Sequence, residues 1–303
     1  MSSDTVPASE GARIACAFVL LCASAAGIAP PLLARSPSDG SAAGSAPAAL
    51  RLKAFSAGVM LSLSVLHVIA DSFTRLASSG PVSLAGCAVL SGFLFTFFVD
   101  RLALDALTAA QGSKGSGGCG SDDEGRPGLG HSHGALLLAH PAARKLATAH
   151  LLEASVLVHS VIIGADLGAS PAPRAEALAF AGVLAVHQLF EGAALGAVVA
   201  DTGASPRRKA ALATAFCLTT PLGVLLGVAV AAMAADEAAG ARRERLAGLL
   251  DGVTGGMLLH ITHGLLNEEF GRADLADRPR LRTEMYALLL AGVGTMALLA
   301  RWA

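Results

Sequence analysis

The sequence predicts an all-α, polytopic membrane protein with eight transmembrane helices. Its composition is the first indication: 53% of the 303 residues are apolar and only 15% are charged, whereas a soluble domain is about a quarter charged. The second is that apolar stretches of roughly 20 residues recur along the chain, which is the length a helix needs to cross a bilayer core of about 30 Å. A water-soluble globular fold is therefore excluded.

The apolar stretches define the eight spans. They lie at residues 14–33, 52–73, 84–104, 146–167, 175–200, 210–234, 246–266 and 285–302. The first follows a short polar start, as a signal peptide would. It is long for the apolar part of a signal, and Arg13 is the only basic residue near it, so we expect an uncleaved span.

The spans divide the chain into three parts. Residues 1–110 hold the first three spans and residues 146–303 hold the last five. Between them, residues 111–145 are rich in glycine and include the pair His131 and His133. This stretch has no apolar period, so we expect a flexible loop, with His131 and His133 as additional metal-binding candidates.

Basic residues set the expected orientation. Of the 22 lysines and arginines, 15 lie in the odd-numbered loops. Because basic loops stay on the cytosolic side, we expect both termini to face outward and the His-containing loop to be cytosolic. We expect the plasma membrane, with an organelle membrane as the alternative, and a homodimer is left open.

Several function classes are excluded or disfavoured. No long or dense basic stretch predicts nucleic-acid binding. The five cysteines have no CxxC spacing, which disfavours a thiolate zinc site. The glycine-rich segment lacks GxxxxGK[ST], which disfavours ATP-driven pumping by this chain alone.

Polar residues at membrane depth are the candidate functional residues, because burying them in lipid is costly unless they face an ion, a partner or a cavity. The candidates are His67, Asp71, Glu153, His159, Ser160, Asp166, His187, Gln188, Glu191, His260 and His263. His187 and Glu191 are four residues apart, so they share one helical face. Imidazole and carboxylate are typical zinc ligands, and His159 is the natural third ligand from the neighbouring span. We expect Gly164 and Gly192 to let the fourth and fifth spans approach closely.

Three other interpretations fit these residues. The polar residues could form a purely structural network. An intramembrane zinc hydrolase could hold zinc with His67, His260 and His263, and use Asp71 or Glu191 as its base. A haem electron carrier would need facing pairs of axial histidines.

The fourth and fifth spans resemble a known family. They contain His159-Ser-Val-Ile-Ile-Gly164 and His187-Gln-Leu-Phe-Glu191-Gly192, and this HSxxxG and HQxFEG pair is similar to the ZIP (Zrt/Irt-like) metal transporters of the plant and fungal branch. His67 through Asp71 in the second span and Thr219 through Gly223 in the sixth also fit.

The resemblance implies a transporter rather than an enzyme. It implies an eight-helix ZIP-type bundle that moves zinc toward the cytosol, with iron(II), manganese and cadmium as other candidate cargo and no resident cofactor. His159, His187 and Glu191 would be the core ligands, flanked by Ser160 and Gln188. His67, Asp71, Glu153 and Asp166 would line the pathway. Some members hold a second ion with a fourth-span glutamate; here Ile163 occupies that position, which favours one ion. His260 and His263 depart from the family pattern, so we expect them to affect the exit path or selectivity.

Overall fold

The computed structural model describes residues 9–33, 47–77, 82–112, 141–233 and 237–300. These residues form eight long helices, one for each predicted span. We label them α1 (Glu10–Leu33), α2 (Pro47–Ala77), α3 (Val82–Gly112), α4 (Pro141–Ala169), α5 (Arg174–Ala200), α6 (Pro206–Met233), α7 (Glu237–Phe270) and α8 (Pro279–Leu299). A 3₁₀ turn at Ala273–Leu275 precedes α8. The all-α, eight-helix prediction is confirmed.

The predicted loop lies almost wholly outside the described residues. Helix α3 reaches Gly112 and helix α4 begins at Pro141, so both helices extend into the stretch predicted as loop. His131 and His133 lie in the interval between them, outside the described residues. The assignment of this interval to a cytosolic loop stays a prediction.

Six helices, α1 to α6, are long and apolar enough to cross a membrane. Helix α7 begins with charged residues, including Arg243 and Glu244, and α8 begins with Arg280, Arg282 and Glu284. These charged residues near the helix starts lower the hydropathy of both helices. Both nevertheless pack along the full bundle, α7 against α3 and α8 against α2.

Four helices form an inner ring. Helix α2 contacts α5, α5 contacts α4, α4 contacts α7, and α7 contacts α2. Each inner helix has one main outer partner: α8 packs on α2, α1 on α5, α6 on α4 and α3 on α7. Between 56% and 61% of the apolar stretch is buried in α2, α4 and α5, against 22% to 39% in α1, α3 and α6. The outer helices therefore present most of the surface that lipid would cover.

Glycines allow each outer helix to approach its inner partner closely. A Cβ at Gly223 of α6 would lie 2.6 Å from the carbonyl oxygen of Val161 in α4. A Cβ at Gly196 of α5 would lie 2.8 Å from the carbonyl oxygen of Ile28 in α1. Glycines also lie at the α2–α8 contact (Gly58 and Gly292) and at the α3–α7 contact (Gly92 and Gly256). Small residues are the usual means of close helix packing in membranes.

The expectation that Gly164 and Gly192 bring α4 and α5 together is wrong. Gly164 faces Thr220 and Gly223 of α6, and Gly192 faces Ser24 and Ile28 of α1. The physical reason is that the buried polar residues His159, His187 and Glu191 occupy the inward face of α4 and α5. Their glycines therefore lie on the outward face, where a second layer of helices packs.

Helix α2 changes its winding at the level of the buried histidines. Leu63–Ile69 forms a π-helical segment within the otherwise α-helical α2. A π turn holds more residues than an α turn, and such turns occur most often at functional sites. His67 lies in this segment and is buried.

The glycine contacts generate a stability prediction. We expect Gly223→Ala to destabilise the protein by about 1–3 kcal/mol, because the new methyl group overpacks the α4–α6 contact. Gly182→Ala is the matched control, since Gly182 is exposed and has nothing within 4 Å of its Cβ position. The melting temperature of the detergent-solubilised protein measures the effect. Equal melting temperatures for the two variants would contradict the packing account.

Candidate metal site

Three histidines from three inner helices converge in the middle of the bundle. His67 comes from α2, His159 from α4 and His187 from α5. The ring centroids of His67 and His187 are 5.1 Å apart, and those of His159 and His187 are 6.1 Å apart. The exposed fraction of each residue is 7% or less. The structure therefore brings together residues that lie as far as 120 positions apart in the sequence.

Glu191 completes this group one turn along α5. Its Oε2 lies 3.8 Å from His187 Nε2, and the residue is fully buried. This placement follows from the i, i+4 spacing, which stacks the two side chains on one face. We call His67, His159, His187 and Glu191 the His–Glu cluster.

The His–Glu cluster contains many buried polar atoms without a hydrogen-bond partner among the described residues. Both ring nitrogens of His67 and His159, Nε2 of His187 and both carboxylate oxygens of Glu191 are in this state. An unpaired buried polar group costs free energy, and native proteins keep few of them. Imidazole nitrogens and carboxylate oxygens are also the atoms that bind zinc and similar ions. The cluster thus has the chemistry of a metal site.

Ser160 and Gln188 flank the cluster. Both are fully buried. The Gln188 side-chain Nε2 donates a hydrogen bond to the Thr220 hydroxyl on α6. Its Oε1 has no hydrogen-bond partner among the described residues. Ser160 Oγ also has no partner among the described residues. Both residues therefore keep an oxygen that a metal ion or its water could use.

Asp251 is a buried carboxylate next to the cluster that the sequence analysis missed. It lies on α7 and is 1% exposed, and its Oδ1 is 3.6 Å from His159 Nδ1. This separation is longer than a direct hydrogen bond. Asp251 lies within the predicted seventh span. A carboxylate there is as costly to bury in lipid as His260 and His263, so the sequence did contain the signal for it.

Arg75 forms an ion pair with Asp251 from the other side, although neither Arg75 Nε nor the Asp251 carboxylate makes a hydrogen bond among the described residues. It lies near the end of α2, and its Nε is 3.2 Å from Asp251 Oδ2. The same guanidinium also pairs with Asp166 of α4, and with Glu244 of α7 at 2.9 Å. Asp71, one turn before Arg75, is close enough to Asp166 and Asp251 to interact with them electrostatically. These five charged residues form what we call the Arg75 network.

A second charged group lies at the opposite end of α2. Lys53 Nζ bonds Asp201 Oδ2 at 3.0 Å and Glu269 Oε1 at 2.8 Å. Asp201, Glu268 and Glu269 present carboxylate oxygens within 4.8 Å of one another. Because the Lys53 ammonium bonds two of these three carboxylates, it offsets much of their charge. Glu153 of α4, which precedes His159 in the same helix, is also buried. Its Oε2 lies 3.7 Å from His150 Nδ1.

His260 and His263 lie away from the cluster. His260 packs edge-on against Phe93 and Phe97 of α3. His263 is exposed and its Nε2 contacts Asn267 on its own helix at 2.9 Å. The hydrolase hypothesis, which required His67, His260 and His263 to share one zinc ion, is wrong, because α7 turns Asp251 rather than these histidines toward the inner ring.

Comparisons with known proteins match the chain over most of its length. Residues 10–300 match the family model described as "Zip: ZIP Zinc transporter". Fe(2+) transport protein 2 of Oryza sativa subsp. japonica is 31% identical, over 94% of this chain and 84% of that protein. Zinc transporter 5 of the same organism is 30% identical, over 84% of this chain and 77% of that protein. Fe(2+) transport protein 1 of Arabidopsis thaliana is 30% identical, over 96% and 85% respectively.

Proposed function

Because the chain belongs to the ZIP zinc transporter family, we propose that it carries divalent metal ions, zinc first, across a membrane through the His–Glu cluster. The observation that carries this proposal is the set of buried imidazole nitrogens and carboxylate oxygens that have no hydrogen-bond partner among the described residues. A membrane interior in which such atoms merely held helices together would pair them with one another or with backbone groups.

His159, His187 and Glu191 are the proposed ligands. They supply two imidazoles and one carboxylate from α4 and α5, and His67 of α2 faces His187 as the nearest further donor. An ion that reaches them exchanges its water for these groups. Ser160 and Gln188 would hold water or the departing ion beside the ligands.

One ion per site is the proposed occupancy. Ile163 lies one turn after His159, where a second ion would need a carboxylate. Its side chain packs with Leu167, Leu184 and Val224 in an apolar cluster. This apolar environment is unsuitable for a second divalent ion, which would have to lose its hydration without gaining ligands.

The proposed direction is toward the cytosol. The distribution of lysine and arginine supports outward termini, which makes the Arg75 end of α2 the outer end and the Lys53 end the cytosolic one. The plasma membrane is the proposed location. Of the three relatives named above, two carry iron(II) in their names and one carries zinc, while further relatives also carry zinc in their names. The His and Glu ligands suit both ions.

Substitution of the two proposed ligands on α5 tests the site. We expect His187→Ala and Glu191→Ala each to lower saturable zinc uptake into cells by at least about tenfold, since even groups that only orient metal ligands contribute that much. Uptake of radioactive zinc, normalised to protein at the cell surface, measures the effect. Glu176→Ala is the matched control, because Glu176 is an exposed carboxylate in the first turn of the same helix. Full uptake in both cluster variants would contradict the proposed site.

Competition between ions for zinc uptake tests which ligands bind the ion. We expect excess iron(II) or cadmium to inhibit zinc uptake, because both accept imidazole and carboxylate ligands. Magnesium at the same concentration should not compete, because it binds imidazole poorly and gives up its water reluctantly. Inhibition by magnesium equal to that by iron(II) would show that the ions are bound by carboxylates alone and would exclude the histidines as selective ligands.

A further inference from the structure

Arg75 is placed where it contacts carboxylates from two other inner helices. Its guanidinium, 17% exposed, pairs with Asp166 of α4 and with Glu244 and Asp251 of α7. The exposed fraction of these carboxylates falls along the series, from 40% at Glu244 to 28% at Asp166 and 1% at Asp251. The three carboxylates therefore mark successive positions from the bundle surface to its interior, and we call this series the carboxylate path.

Asp251 joins this path to the proposed ligands. Its Oδ2 is 3.2 Å from Arg75 Nε, while its Oδ1 is 3.6 Å from His159 Nδ1. One carboxylate thus lies between a permanently charged cation and a proposed metal ligand. An ion that arrives along Glu244, Asp166 and Asp251 reaches His159 at the next step.

A metal ion and the guanidinium compete for the same oxygens. Both are cations that bind carboxylates through the oxygen lone pairs, and Arg75 already contacts Asp251, Asp166 and Glu244. Arginine cannot lose its proton in a protein, so it can leave these carboxylates only by moving. The path to His159 is consequently closed to a second cation while Arg75 holds Asp251.

We propose that Arg75 is a tethered cation that closes the carboxylate path to the His–Glu cluster, and that an incoming metal ion displaces it from Asp251. This inference rests on the proposed function, because it assumes that metal ions move through the cluster from the Arg75 end. Arg75 is then a positioning residue that sets the apparent affinity for the ion without binding it.

The fraction of molecules in which Arg75 is away from Asp251 sets the apparent affinity for zinc. The apparent affinity of a site is reduced by the fraction of molecules in the competent state. If Arg75 is away from Asp251 in about a tenth of the molecules, its removal lowers the KM for zinc about tenfold. The maximum rate is not expected to rise, because release at the other end of the bundle is unchanged.

Arg75→Met tests this, since methionine keeps an unbranched apolar stem and removes the charge. We expect a KM for zinc uptake about tenfold lower than in the wild type. Arg75→Lys retains a cation and should stay closer to the wild-type KM. Arg51→Met is the matched control: Arg51 lies on the same helix and pairs with Glu284 at 2.6 Å, but both side chains are about half exposed. Its KM should equal that of the wild type.

A chemical rescue separates the charge from a structural role. Arg75→Cys should also lower the KM. Treatment with aminoethyl methanethiosulfonate forms a mixed disulfide that carries an ammonium, and this should restore the higher KM. Methyl methanethiosulfonate adds a neutral group and should not. Wild-type protein treated with each reagent controls for the native cysteines.

The outcomes are distinguishable. If Arg75→Met reduces only the amount of folded surface protein and leaves the KM unchanged, the Arg75 network has a structural role only. The proposal that Arg75 closes the carboxylate path is then excluded. If the neutral reagent raises the KM as much as the charged one, the side chain acts by bulk and the proposal is overturned. If wild-type protein moves no zinc, the proposed function itself fails.

Discussion

The inner ring of α2, α4, α5 and α7 is the constraint on which the other features depend. Ionisable side chains at membrane depth must face protein or an ion rather than lipid. Each inner helix therefore directs its polar face toward the ring and its glycine face toward an outer helix, as α4 does with His159 and Gly164. The close glycine contacts supply the van der Waals packing that holds the two layers together, since lipid provides no hydrophobic driving force between helices.

Most of this architecture could be predicted from the sequence, because hydropathy and helical period are local properties. The eight helices, six of them apolar enough to cross a membrane, the shared face of His187 and Glu191 and the resemblance to the ZIP family are confirmed. The partners of each helix could not be predicted, because the direction of a glycine face depends on which helix packs there. For this reason the sequence predicts an α4–α5 contact for Gly164 and Gly192, whereas the two glycines face α6 and α1. The pairing of Arg75 with Asp251 could not be predicted either, since it joins residues far apart in the chain.

Helix α7 illustrates how tertiary packing selects among equally polar residues. Asp251, His260 and His263 all lie on it, yet only Asp251 faces the histidines of the inner ring. His260 faces two phenylalanines of α3, and His263 lies on the exposed side. The spacing of nine residues between Asp251 and His260 is two and a half helical turns, so the two side chains point to opposite sides of α7. Only one of these two side chains can therefore face the inner ring.

Helix α2 connects the two charged networks of the bundle. Lys53 near its start binds Asp201, which follows α5, and Glu269 of α7, whereas Arg75 near its end binds Asp166 of α4 and carboxylates of α7. Between them lies the π-helical segment with His67. Because both networks join α2 to α7, a displacement of α2 along α7 changes the ion pairs at both ends together. Since His67 lies between the two networks, such a displacement would also change the distance between His67 and His187 unless α5 moved with α2.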